Sequence, residues 1–149
     1  FFLRNGEEGD RTFLYLAIGI CISSDIGGYV FGKIFKGRKL SSISPKKTIS
    51  GVFGSYFFSL VFFVVFVEHI NFVFNLSINQ TAYIEGAFFA IIFSTIAQFG
   101  DLIISYFKRM EKIKDTGKIL PGHGGIFDRI DGLMFVVIFA YIMTYFNSL

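Results

Sequence analysis

Val52–Ile70 reads VFGSYFFSLVFFVVFVEHI, nineteen residues in which Glu68 is the only Asp, Glu, Lys or Arg. A helix crossing a bilayer needs about 20 mostly apolar residues at roughly 1.5 Å rise each, and this run meets the requirement. Working outward, Thr12–Phe31, Tyr83–Phe107 and Gly132–Leu149 qualify as well, the last being short and expected to begin inside the loop before it. Hydrophobic residues make up 53% of the chain, including 22 Phe and 7 Tyr but no Trp. Mean hydropathy is +0.61, too apolar for an ordinary soluble domain of 149 residues. The expected fold is all-α: a polytopic membrane bundle of four spans with cytoplasmic interfacial loops and short helices.

Charge placement gives the orientation. Lys33, Lys36, Arg38, Lys39, Lys46 and Lys47 lie between spans one and two, or at the end of span one. Lys108, Arg109, Lys112, Lys114, Lys118 and Arg129 lie between spans three and four, and only Arg4 and Arg11 fall elsewhere. The positive-inside rule puts both basic loops in the cytoplasm. The net charge of +3 is thus a sum over two unlike faces, and it does not point to nucleic acid. Cys21 is alone in an apolar run, which excludes a disulfide framework or a thiolate metal site. The chain opens without Met or a cleavable leader, so it is expected to be the C-terminal part of a longer protein with further spans upstream.

Two carboxylates interrupt the apolar runs. Asp25 and Asp101 each sit six residues before the expected inner end of their span, about 9 Å deep. An acid at the centre of a span costs about 2.5–3.5 kcal/mol, and such residues usually face a bundle interior or a wet cavity. Either they pair with Lys33 or Lys108, or two acids at one depth share a site. Asp128 and Asp131 are three apart and share a face if the last helix has begun there. With Asp101 they offer the oxygen ligands that Mg²⁺ takes, phosphate and water completing its shell, and a second cation is compatible with the set. The bland reading is that Asp128 caps the helix and Asp131 favours its dipole.

Ser105 and Lys108 follow Asp101 at helical spacing and form a stripe from membrane depth to the surface. Gly122-His123-Gly124-Gly125 can bring backbone N–H groups to an anion, with His123 as a phosphate donor or proton carrier, although a glycine-flanked His also suits a plain turn. Ser44-Pro45 followed by Thr48 predicts a helix start with Ser44 as N-cap. That start, with Lys46 and Lys47, would be a phosphate cradle. Attraction to anionic lipid would explain Lys36, Arg38 and Lys39, but not the glycines and aspartates.

At this point the chain resembles the phosphatidate cytidylyltransferases, also called CDP-diacylglycerol synthases. Their C-terminal signature is met here by Ser105, Lys108, Arg109, Lys114, Asp115, Gly117, Pro121, His123, Gly124, Gly125, Asp128, Arg129 and Asp131. Asp25, Tyr29, Gly32, the run Ser44-Pro45-Lys46-Lys47-Thr48 with Gly51, and Gly100-Asp101-Leu102 agree upstream. Ile104 stands where many members have Glu, so no role is carried to it. The Gly-Asp-Leu opening looks like the bacterial branch. That implies an enzyme of the bacterial inner membrane, facing the cytoplasm, which transfers CMP from CTP to phosphatidate with Mg²⁺ and releases pyrophosphate.

On that reading Asp101 and Asp128 hold the metal with Asp131, and Lys108, Arg129 and His123 act on the reacting phosphates. Asp25, Ser44, Lys46, Lys47, Thr48, Ser105, Lys114, Gly124 and Gly125 contact substrate. Expected partners are CTP, phosphatidate and membrane lipids, with a second copy of the chain as a further candidate. The rivals are CTP-dependent transfer to an isoprenoid alcohol or ether lipid, and an ion-coupled transporter working through Asp25 and Asp101. The chain shows no inverted repeat of the kind transporters carry.

Overall fold

A computed structural model describes residues 6–40, 44, 47–75, 78–111 and 127–148, without the side chains of 6–10, 127–130 and 147–148. It contains four α-helices: α1 (Gly6–Phe35), α2 (Ile49–Phe74), α3 (Gln80–Met110) and α4 (Phe127–Ser148). Each of the first three contains a stretch long and apolar enough to cross a membrane, and α4 carries a shorter apolar stretch, Asp131–Phe146. The protein is an all-α integral membrane bundle. Every helix starts before the apolar run that announced it, and α1, α2 and α3 also run past theirs, because a backbone already paired internally keeps its hydrogen bonds into the polar flanks.

Chain direction alternates, so the ends of α1 and α3 share one end of the bundle with the starts of α2 and α4. This end carries the basic connections. Toward the other end the interior is bulky: Phe13, Ile20, Phe63, Val67, Phe93 and Val136 are buried together. Phe93 packs edge-on against Phe13 at 5.5 Å and Phe139 at 5.7 Å between ring centroids, an arrangement that ring quadrupoles favour.

Toward the basic end the packing changes to small residues. A Cβ on Gly27 would strike the Gly54 carbonyl, one on Gly54 would strike the Gly27 carbonyl, and one on Gly51 would meet the Gly28 carbonyl at 2.8 Å. Hydrocarbon gives little hydrophobic drive between helices, so close backbone contact and hydrogen bonds hold them. Ser55 Oγ donates to the Ser24 carbonyl at 2.8 Å, and Ser24 Oγ and Ser94 Oγ share a bond of 2.8 Å, which ties α1, α2 and α3 together at mid-depth.

The connection from α1 to α2 differs from expectation. Lys36 leaves α1 at φ 44°, and an isolated antiparallel bridge joins Lys39 to Thr48. The Lys47 N–H donates to the Ser44 carbonyl at 3.0 Å. The N-cap of α2 is therefore Thr48, whose side chain accepts the Gly51 N–H at 3.1 Å, and not Ser44.

Candidate active site at the basic end of the bundle

Where the small-residue seam ends, α1, α2 and α3 enclose a cavity of about 280 Å³. Its floor is Asp25 from α1, Ser55 from α2 and Gln98 from α3; Lys47, Thr48 and Asp101 stand about one turn nearer the surface, with Ser44 beside them. Gly28, Tyr29, Gly51 and Val52 complete the walls. Asp25 and Asp101 thus do share one cavity, although they stand at different depths in it and not at the one level their sequence spacing suggested. Asp25 makes no hydrogen bond or ion pair with any described residue and feels Lys47 and Asp101 only through space.

The lysine partners are not those the sequence suggested. Lys33 turns to its own helix, 3.4 Å from the Tyr29 hydroxyl and over the Tyr29 ring. Asp101 pairs with Lys47 at 2.5 Å, and the Lys47 ammonium also donates to the Gln98 carbonyl at 3.2 Å. Lys108 pairs with Asp131 at 3.5 Å. The second pair is the more enclosed, with side-chain exposures of 12% and 10% against 24% and 29% for the first. Ser105 is half-buried on the same helix but does not line the cavity.

Two glycines bring the acids of α3 and α4 together. A Cβ on Gly132 would meet the Ala97 carbonyl at 2.9 Å, and a Cβ on Gly100 would enter the Phe135 ring. Each acid therefore has a glycine neighbour that lets its helix touch the other, and the Asp101 and Asp131 carboxyl groups lie within hydrogen-bond reach. Asp131 also accepts the Gly132 N–H at 3.0 Å. Two carboxylates so close repel unless a proton or a cation lies between them. That donor set fits Mg²⁺, which takes one or two carboxylates and leaves its other positions to phosphate and water. Among the described residues no group of three His, Cys, Asp or Glu side chains is arranged to hold a metal.

The start of α2 offers less to an anion than its sequence implied. The N–H groups of Ile49, Gly51 and Val52 already donate to the Arg38 carbonyl, Thr48 Oγ1 and the Thr48 carbonyl. Thr48 spends its hydroxyl on the cap and a contact with Ser50 Oγ at 3.1 Å. Lys47 is what this segment presents.

Helix α4 begins at Phe127, so Asp128 and Arg129 stand in its first turn and Asp128 is not at the cap position. Their side chains, and the whole of Lys46, Lys114, His123, Gly124 and Gly125, lie outside the described residues. Sequence reading did not single out Ser24, Ser55, Ser94 or Gln98 for the site. A signal was present: Ser24-x-x-x-Gly28-x-x-x-Gly32 and Gly51-x-x-x-Ser55-x-x-x-Ser59 are small residues at helical spacing in apolar runs, a pattern of close helix contact.

With this geometry in view, comparison with known proteins is informative. Residues 1–147 match the model of the cytidylyltransferase family. A phosphatidate cytidylyltransferase of Staphylococcus aureus (strain COL) is 41% identical over 138 residues, covering 92% of this chain and 50% of that protein. One from Bacillus subtilis (strain 168) is 38% identical over 142 residues, 95% of this chain and 50% of that protein. One from Staphylococcus haemolyticus (strain JCSC1435) is 39% identical over 138 residues. The chain spans about half the length of the curated relatives it matches. A match over nearly every residue, together with acids gathered at the basic end, leads to one conclusion: this chain belongs to the cytidylyltransferase family.

Proposed function

We propose that the protein carrying this chain transfers CMP from CTP to phosphatidate on the cytoplasmic face of the inner membrane of a bacterium, forming CDP-diacylglycerol and pyrophosphate. The observation that carries this reading is the pairing of Lys47 with Asp101 at the rim of the cavity, beside a second pair, Lys108 with Asp131, between α3 and α4. Cations and acids alternate there, at the level where a lipid phosphate and a nucleotide could meet. The names of the bacterial relatives support the choice of substrates.

The chemistry asks little covalent help. A phosphatidate oxygen, already an anion, attacks the α-phosphorus of CTP; the bond from that phosphorus to the bridging oxygen breaks, and pyrophosphate leaves with the electron pair. Positioning and charge stabilisation are the protein's task. Lys47 and Lys108 are placed to trade a carboxylate partner for phosphate oxygens that gain charge, and Arg129 would add a third cation. Asp101 and Asp131, with Asp128, would hold Mg²⁺, which when bound neutralises phosphate charge as a Lewis acid. Asp101→Asn and Asp128→Asn are each expected to abolish turnover while the protein still inserts and folds. Near wild-type turnover in Mg²⁺ would remove that residue from the metal role.

The test is the full-length protein in detergent with labelled CTP, offered phosphatidate, an isoprenoid alcohol and an archaeal-type ether lipid, with and without EDTA. Labelled CDP-diacylglycerol from phosphatidate alone, lost in EDTA, is the expected result. Product from another lipid, or ion flux in proteoliposomes without CTP turnover, would overturn the proposal.

A further inference from the structure

The cavity is divided by depth. Asp101 is three residues, about 4.5 Å, shallower on α3 than Gln98, and Gly51 is four residues, about 6 Å, shallower on α2 than Ser55. The rim therefore carries the Lys47–Asp101 pair, and the floor carries Asp25, Ser55 and Gln98. These levels suit different parts of a substrate. The Asp25 carboxylate, unpaired among the described residues, repels phosphate, and burying an acyl chain against it would strand a charge. What it accepts is a neutral group with N–H or O–H donors. At about 280 Å³ the space is at the lower edge of small-molecule sites, too small for a lipid with its chains.

From this layout, and resting on the reading of CTP as substrate, we infer that the floor is the nucleobase subsite: Asp25 accepts the 4-amino group of cytosine, and the Gln98 amide faces the ring's carbonyl edge. Cytosine presents a donor at that position where uracil presents an acceptor, so a carboxylate there admits one and repels the other. Gln98 is held for this role. Its Nε2 donates to Ser94 Oγ at 3.3 Å, and Ser94 Oγ is bonded in turn to Ser24 Oγ, both serines fully buried. Tyr29, Val52 and the bare backbones at Gly28 and Gly51 leave walls that can receive a flat ring. With the base at the floor, the triphosphate extends toward Lys47 and the facing acids, where the lipid headgroup arrives.

The test pairs a change in the protein with a change in the substrate. Full-length wild type, Asp25→Asn and Gln98→Met are assayed in detergent with phosphatidate and CTP, UTP, dCTP, or a CTP analogue lacking the 4-amino group. Wild type should use the analogue and UTP poorly. In Asp25→Asn the preference for CTP over the analogue, measured as a ratio of kcat/KM, should fall about tenfold or more, the size of one charge-assisted hydrogen bond. The preference for CTP over dCTP should not move. If wild type uses the analogue as well as CTP, the inference fails, and this arm needs no variant to fold. It also fails if Asp25→Asn alters only the CTP to dCTP ratio, which would make Asp25 a ribose contact. Loss of activity restored by higher Mg²⁺ with base preference unchanged would sink it too, making Asp25 a cation ligand. A wild type that makes no CDP-diacylglycerol from CTP would refute the parent reading instead.

Discussion

Thr48 and Lys47 are adjacent, yet they carry different burdens. Thr48 closes the first turn of α2 through Gly51 N–H, and its backbone pairs with Lys39 across the connection, so it fixes where Lys47 emerges. Thr48→Ala should cost roughly 1 kcal/mol of stability, the usual value of an N-cap, and lower turnover by moving Lys47, whereas Thr48→Ser should keep both. Thermal unfolding in detergent, read beside the rate, checks this; equal behaviour of the two variants would remove the cap from the argument. Lys47 balances a partly enclosed Asp101. Removing one member of such a pair strands the other's charge, while removing both need not destabilise. Lys47→Met should therefore lower stability, and Asp101→Asn should restore part of the loss in the double variant. Strict additivity would mean that the pair contributes nothing. Lys47 was visible in the sequence as a basic residue near a helix start, but its partner was not, because the choice among Asp25, Asp101 and Asp131 depends on how three helices pack.

Among the elements, α1 and α2 make the closest approach, and glycine permits it. At Gly54 an added methyl would meet the Gly27 carbonyl and the root of the Phe31 side chain, whereas at Gly86 it would meet only the far end of the Phe63 ring. Backbone cannot yield as a ring can. Gly54→Ala should cost on the order of 1–3 kcal/mol and distort the nearby cavity, cutting turnover. Gly86→Ala should be much milder, since alanine also favours the helix by about 0.5–1 kcal/mol. Retained folded fraction after heating, measured for both, decides it; equal losses would show that backbone contact is not what limits the seam. The existence of the helices was legible because apolar runs such as Val52–Ile70 have one reading. Their ends were less so. Ser44 and Thr48 both suit an N-cap by residue type, and the extended Thr48 with its bridge to Lys39 makes Thr48 the cap through a contact nine residues away in the chain.

At the scale of the whole molecule, bulky rings fill one end of the bundle and small polar residues line the cavity at the other, where the basic connections lie. Sequence reading found Asp25 and Asp101 because charge in an apolar run is conspicuous, and Asp131 through its spacing to Asp128. It overlooked Ser24, Ser55 and Ser94 because a serine costs little in a membrane helix and signals nothing until its neighbours are known. By the positive-inside rule the same asymmetry of charge predicts insertion with the basic end toward the cytoplasm, since basic loops resist translocation. Cys21 is the sole cysteine of this sequence and is buried, so Cys21→Ala, with any cysteine elsewhere in the full-length protein also replaced, gives a silent background for labelling. On it, single substitutions Lys39→Cys, Glu111→Cys and Thr81→Cys place thiols at exposed positions, the first two at the basic end and the third at the other. An impermeant maleimide added to intact cells should label Thr81→Cys alone and reach the other two only after permeabilisation. The reverse pattern would put the cavity outside, where cytoplasmic CTP could not enter it, and labelling of Lys39→Cys and Thr81→Cys from the same side would break the antiparallel order of the spans.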